Sequence, residues 1–447
     1  MDRSIFRNPK SGSKSALKLG AKEGLITNVW RLRVIYFFKS IIPSHVVNDH
    51  QLWLTKPEDI VEFTEKLKDP QYDLSMIEYV CIVETIADIY DLMNFFSTLG
   101  KRLPVYARVL FYNFNWLWAP LFRISGLLGF SRNRTFGNFY REGDLDCFLE
   151  LSGWEITRRI KRFIFPFKIP FLSGFFDQCL VKLPFFRNMA INTFFIARRK
   201  GEGKIGDHSA TVLIPCKNEE SNVEAAVSRT PQFGKSVELL FINDQSTDST
   251  VEKIVQCQRD FPDKNIVLVQ GKGLGKAEAI REGMQAATGD VCLILDADLT
   301  VIPEDLPQFY EALVSRRADF VHGTRFVYSH EHGAMRFANI IGNIFFSSLF
   351  TYILEQRTTD TLCGTKVFWR RDWPLFEEMR NILKHSDLWG DYNLIFGASR
   401  YGLKIAQLPV RYFERLEGDT KMNKRLRNGL VMFKVASYAL WKVKFFS

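Results

Sequence analysis

VCLILDADLT, residues 291–300, decides how the rest of the chain is read. An apolar run stops abruptly at two carboxylates, Asp296 and Asp298, one residue apart. A strand that is apolar on both faces belongs inside a parallel sheet, and such sheets bind ligands beyond the carboxyl ends of their strands. An Asp-x-Asp at that edge is a candidate metal site. A hard divalent cation, Mg²⁺ or Mn²⁺, takes one or two carboxylates and completes its shell with substrate phosphates. The same letters also fit an acidic strand-to-helix turn with Asp298 as an N-cap.

The flanks favour the sheet. ATVLIPCKN, ELLFINDQS and NIVLVQ read as strands, with EESNVEAAVSRT, STVEKIVQCQRDF and KAEAIREGMQAATG as helices between and after them. That alternation predicts an α/β fold with a parallel sheet and crossover helices. Three strands then end in polar turns on one edge: Pro215 with Asn218 and Glu219, then Asp244, then the acidic pair. Asp244 can accept from a nucleobase N–H or ribose hydroxyls, while Ser246, Thr247 and Asp248 can cap the next helix. The triplet Gly271, Gly273 and Gly275 resembles a dinucleotide or S-adenosylmethionine turn. No acid closes the following strand in that manner apart from the pair already assigned to metal. The glycines are therefore read as permitting a turn that brings Lys276 to a nucleotide phosphate or base.

In this order and spacing, LIPCKNEESN, INDQSTDST, GKGLGKAEAIREGMQAATGD and LDADLTVIPEDL resemble the nucleotide-binding half of family 2 glycosyltransferases of the GT-A fold. Within that family they resemble the polyprenyl-phosphate sugar transferases, such as dolichyl-phosphate mannose synthase. HGTRF at 322–326, DTLCGTKVF at 360–368 and PVRYFERLEGDTKM at 409–422 extend the likeness over roughly residues 209–425. The resemblance implies a nucleotide-sugar donor, a polyprenyl-phosphate-like acceptor, a divalent metal on Asp296 and Asp298, and inversion at the anomeric carbon. It implies Pro215, Glu219, Asp244, Lys276 and Asp296 at the nucleotide-sugar, and Arg325, Arg415 and Lys421 near the phosphates, where a guanidinium can engage two oxygens. Thr300 stands where the family often has glutamine.

Asp391, in HSDLWGDYNLIFGA, stands where many enzymes of this fold carry a base. A phosphate acceptor is already ionised at neutral pH, because a monoester's second pKa is about 6. Asp391 then orients the acceptor or braces Arg325; with a hydroxyl acceptor it is the base. His322, His330 and His332 lack companions at metal spacing and read as surface or supporting residues.

Composition bounds the class. The chain has 447 residues, 46% hydrophobic and 14% aromatic, which excludes a disordered protein and allows two or three domains. A net charge of +10 favours anionic partners, yet no nucleic-acid-binding module is recognisable. Seven cysteines without a CxxC pair fit a reducing compartment. The N-terminus lacks the apolar core of a secretory signal, so the expected location is cytoplasmic, peripheral at the cytoplasmic membrane face. Asn339, Asn343, Ser347 and Thr351 make a polar stripe on the otherwise apolar 337–354 segment. Lys434, Lys442 and Lys444 punctuate an apolar tail at 426–447, which predicts a basic amphipathic surface helix. KGEGKIGDHS marks a linker at 201–208. Before it, in an expected domain at 1–200, residues 72–200 resemble the C-terminal half of a class I methyltransferase. YDLSMIEYVCIVETIADIYDLMNFFSTLGK is similar to its fourth strand and helix; FLELSGWEITRRIKRF and INTFFIARRK are similar to its closing strands. Gly12, Gly20 and Gly24 do not supply the glycine-rich turn, so the expectation is a degenerate, inactive domain.

Overall fold

The computed structural model describes residues 30–84, 86, 89, 91–121, 124, 140–164, 175–177, 179–183, 185–201, 203, 206–325, 337–383, 387, 389–411 and 425–445. Arg415, Lys421, His330, His332 and the glycines before residue 30 lie outside them. The chain divides into two compact units, Met1–Lys200 with Phe445–Ser447, and Gly201–Lys444.

The first unit holds a five-stranded sheet in the order β1-β2-β3-β5-β4. Strands β1 (Gln51–Leu54), β2 (Tyr79–Ile82) and β3 (Arg108–Phe114) run parallel. Strands β4 (Trp154–Arg162) and β5 (Asn192–Arg199) pair antiparallel, and β5 joins β3 antiparallel. Helix α1 at 30–41 covers one face through Val34, Phe37, Phe38 and Ile41, the i, i+3, i+4, i+7 spacing of an apolar stripe. Helices α2 (Pro57–Lys68), α3 (Leu92–Arg102) and α4 (Glu142–Leu151) cover the other, α2 through Ile60, Phe63 and Leu67. Just past β2, Glu84 is buried and closed by Arg31 of α1 at 2.7 Å. Asp177, also buried, takes Arg33 at 3.0 Å.

The second unit is built on a seven-stranded sheet in the order β12-β10-β11-β9-β6-β7-β8. β6 (Ser209–Cys216), β7 (Ser236–Asn243), β8 (Asn265–Gln270) and β9 (Val291–Ile294) are parallel, as the sequence predicts. Their crossovers are α5 (Glu220–Arg229), α6 (Thr250–Asp260) and α7 (Lys276–Ala286). Alternation along the strands fills both faces: Leu239 and Phe241 enter one core, Leu240 and Ile242 the other. Beyond β9 the order breaks. After α8 (Leu306–Val314) come β10 (Phe320–Thr324) and helix α9 (Phe337–Leu354), and then β11 (Lys366–Trp369) inserts antiparallel between β9 and β10. Helices α10 (Trp373–Ile382) and α11 (Asp391–Arg400) follow, and β12 (Ile405–Pro409) closes the edge parallel to β10.

One expectation changes here. Helix α12 (Arg425–Ala439), continued by a π turn at Leu440–Phe445, does not float on the surface. Met432, Val435, Ala436, Ala439 and Val443 are buried in the core of the second unit, and Lys444, expected in water, is buried and paired with Glu355 at 2.6 Å. In α9, Phe350, Ile353 and Leu354 are likewise buried, while Ser347 bonds to the Ile344 carbonyl and Thr351 to the backbone of Thr358. Ile344, Phe345, Leu430, Phe433 and Trp441 stay exposed. No helix among the described residues is long and apolar enough to cross a membrane. At the end of the expected linker, the His208 N–H donates to the Tyr310 hydroxyl at 2.9 Å.

Candidate active site

The carboxyl ends of β6, β7 and β9 bring the polar turns together. Asn218, at φ 55°, accepts the Thr247 N–H through its side chain and donates its own N–H to Ser246 Oγ. The Glu219 N–H donates to Thr250 Oγ1, and Glu219 Oε2 accepts from Asn222 Nδ2. Ser246 and Thr247 thus tie two loops together instead of capping α6; Asp248 alone accepts from Thr250, at its N–H and hydroxyl. Pro215 lies near the end of β6, in register with Ile242 of β7.

Asp244 follows β7 and is 5% exposed. Its Oδ2 accepts the Gly275 N–H at 3.1 Å, with Lys217 Nζ 3.9 Å away, while Oδ1 is buried without a hydrogen bond. An unsatisfied buried carboxylate oxygen costs about 1–3 kcal/mol or more, so it is a standing demand for a donor. Gly273 and Gly275 have φ of 76° and 96°, a region open to glycine, and this turn starts α7 at Lys276.

The Lys276 ammonium lies 2.6 Å from Asp296 Oδ1. Burial works to lower the pKa of Lys276, but Asp296, Asp391 and Asp298 outweigh it and hold it above the ordinary value. Burial likewise works to raise that of Asp296, and Lys276, Lys366 and Arg325 together hold it below the usual carboxylate range. Both groups are therefore charged at neutral pH. Asp298 Oδ1 accepts from the Thr300 N–H and hydroxyl, so Thr300 braces the acid rather than the strand. Gly364 backs the pair from the other side: a Cβ there would fall 1.9 Å from Asp296 Oδ2.

A second layer lies behind. Arg325 does not meet Asp391. It forks onto Asp360, with Nε to Oδ2 at 2.7 Å and Nη2 to Oδ1 at 2.8 Å. Asp391, first residue of α11, is instead held by Lys366, whose ammonium sits 2.5 Å from Oδ1 and 2.6 Å from the Cys363 carbonyl. Lys366 is wholly buried. Gly390, at φ 78°, lets α11 start against α7, since a Cβ there would meet Ala277 Cα at 3.0 Å. Asp387 caps α11 by accepting the N–H groups of Trp389, Gly390, Tyr392 and Asn393. His322, expected at the surface or in support, is 1% exposed on β10, beside Lys366 in register, with Nε2 unpaired. Sequence reasoning missed Lys366, Asp360 and Gly364. Their signal was present in DTLCGTKVF, where a lysine opens an otherwise apolar strand.

Two carboxylates at the end of a parallel strand suit a hard cation that draws its other ligands from water and phosphate. Among the described residues no group of three His, Cys, Asp or Glu gathers as a metal site, so such a cation would be held in that open manner.

The sequence model of glycosyl transferase family 2 matches residues 211–373, a span that ends before Asp391. An undecaprenyl-phosphate 4-deoxy-4-formamido-L-arabinose transferase of Pectobacterium carotovorum is 36% identical over 108 residues, 23% of this chain and 33% of that protein. A dolichol-phosphate mannosyltransferase of Pyrococcus furiosus is 35% identical over 119 residues, 26% of this chain and 33% of that protein. The chain thus spans about a third of the length of these relatives. Among solved structures, glucosyl-3-phosphoglycerate synthase from Mycobacterium tuberculosis, with Mn²⁺ and UDP, aligns at 18% identity and a TM-score of 0.38, over 53% of this chain and 80% of its own.

Proposed function

We propose, from the premise that residues 211–373 are a glycosyl transferase family 2 domain, that the chain moves a sugar from a nucleotide-sugar to a polyprenyl-phosphate-like lipid with inversion and with Mg²⁺ or Mn²⁺. The observation that carries this is the gathering of Asp244, Lys276, Asp296 and Asp298 at the ends of three parallel strands, with Asp244 Oδ1 buried and unpaired. The donor's base or ribose satisfies Asp244. Lys276 faces the diphosphate, and Asp296 and Asp298 hold the metal, which supplies Lewis-acid stabilisation of charge on the leaving diphosphate. Pro215 and Glu219 shape the floor of the nucleoside subsite.

Asp391 bears on the nature of the acceptor. Its Oδ1 is already bonded to the Lys366 ammonium, which suits a positioning role more than a base that must collect a proton. A lipid phosphate needs no base; Arg415 and Lys421 then hold its charge against the anomeric carbon. The two homologous transferases are named for polyprenyl-phosphate substrates. Exposed Ile344, Phe345, Leu430, Phe433 and Trp441 support peripheral contact of this unit with the cytoplasmic membrane face. The first unit is read as non-catalytic, its strand-end acid Glu84 being sealed by Arg31.

The test is a screen of nucleotide-sugars for metal-dependent thermal stabilisation, followed by transfer to matched lipid-phosphate and sugar-hydroxyl acceptors across pH. Arg415→Ala and Lys421→Ala should each impair use of the lipid phosphate. Asp391→Asn, which keeps an oxygen for Lys366, should retain turnover without gaining a pH requirement. A dead Asp391→Asn with basic variants that act only on donor binding would hand the reaction to a hydroxyl acceptor. Binding of S-adenosylmethionine would reopen a methyltransferase role for the first unit.

A further inference from the structure

Three cations surround Asp296, and they are not equivalent. Lys366 is wholly buried between Asp391 and the Cys363 carbonyl. Arg325 is forked onto Asp360. Neither can leave its partner without stranding a buried carboxylate. Lys276 differs: it bonds Asp296 Oδ1 directly, its side chain is 25% exposed, and it stands on a turn made of two glycines at positive φ. That turn is fastened to Asp244 by the Gly275 N–H. Lys276 is therefore fixed at its base by the turn that bonds Asp244, and its partly exposed side chain reaches Asp296.

The other oxygen of Asp296, Oδ2, lies on the side of Gly364, where a Cβ on residue 364 would collide with it. A divalent cation approaching Asp296 consequently meets a positive charge on the oxygen it needs. Two cations within a few ångströms repel strongly in a partly dry site. A diphosphate removes the conflict, since its oxygens accept the ammonium as a carboxylate does.

We propose that Lys276 is a latch on the metal site. It competes with the divalent cation for Asp296 and swings to the phosphates when the nucleoside diphosphate arrives, so cation and nucleotide bind cooperatively. The proposal rests on the metal and donor roles proposed above. Coupling of this kind is reciprocal: the factor by which nucleotide tightens metal is the factor by which metal tightens nucleotide.

The experiment is titration of the full-length chain with Mn²⁺, following free Mn²⁺ by electron paramagnetic resonance, without nucleotide and with UDP or GDP. Lys276→Gln should bind Mn²⁺ alone about tenfold more tightly than wild type. Lys276→Arg should stay near wild type, and the tightening caused by nucleotide should shrink about tenfold in Lys276→Gln. Lys276→Met serves as a second neutral variant if the glutamine form melts early. Unchanged or weaker Mn²⁺ binding by the neutral variants in the absence of nucleotide, with wild-type binding intact and abolished by Asp298→Asn, overturns the latch and leaves a plain phosphate-binding lysine. No Mn²⁺ uptake by wild type with either diphosphate, or uptake that survives both Asp296→Asn and Asp298→Asn, overturns the metal role and the latch with it.

Discussion

The two units place acids at similar points and treat them in opposite ways. In the first, Glu84 past β2 is buried and closed by Arg31 from the covering helix α1, and Asp177 is closed by Arg33. In the second, Asp244 keeps an unpaired oxygen, and Asp296 is a third exposed with the partly exposed Lys276 as its partner. Parallel strands ending in acids therefore do not make a site. What matters is whether a neighbouring element has already spent the carboxylate's hydrogen-bonding capacity.

The largest effect should come from breaking the open site itself. Asp296→Asn and Asp298→Asn should each lower sugar transfer by about 10²–10³-fold or more, since each removes charge where charge develops in the transition state. Their melting temperatures should stay near wild type. Near-native, metal-stimulated turnover in both would remove the metal site. The reverse pattern is expected at the closed acids. Lys366→Met leaves Asp391 buried and uncompensated, at a cost of about 3–5 kcal/mol in unfolding by denaturant. Glu84→Gln should destabilise the first unit and leave transfer per folded molecule unchanged. Loss of transfer in Glu84→Gln with full stability would mean that the first unit takes part in the reaction.

A smaller effect follows pH. Burial, helped by Lys366 and opposed by Asp360, lowers the His322 pKa from 6.5 to about 4. The unfolded chain then binds more protons than the folded one between those values. The His322 contribution is complete above pH 6.5 and lost as pH falls toward 4, a drop of about 3 kcal/mol at most. The difference in stability between wild type and His322→Gln, measured by urea unfolding from pH 7 to 4, should follow that slope. Asp387, raised to about 6 by burial and Asp391, acts in the opposite direction and cancels in the difference. The smallest effect is at the nucleoside end. Asp244→Ala should weaken donor binding about tenfold, the worth of one charged hydrogen bond, with little change in kcat. An equal donor dissociation constant would show that Asp244 is structural.

The parallel half of the second sheet was legible because its information is local. Apolar runs mark strands, and their abrupt ends at Asp244 and Asp296 mark the edge where loops gather. The helices after 336 were harder. α9 and α12 mix apolar and polar positions in a pattern that does not say which face meets the protein, and the tail was read as a surface helix. Lys444 shows why: by its letter alone it looks like a solvated charge, and its pairing with Glu355, 89 positions away, helps make its burial tolerable.

By itself the sequence determined the α/β alternation, the strand-end acids and the glycine turn before Lys276, since each depends on residues within a few positions of one another. The tertiary structure decided which charges meet. Inserting β11 antiparallel between β9 and β10 carries Lys366 to Asp391, 25 residues on, and sets Gly364 against Asp296. It also leaves Arg325 to Asp360 across 35 residues. An ion pair forms where geometry and low dielectric make an unpaired charge costly, and that is a property of the packed site, which no spacing along the chain encodes.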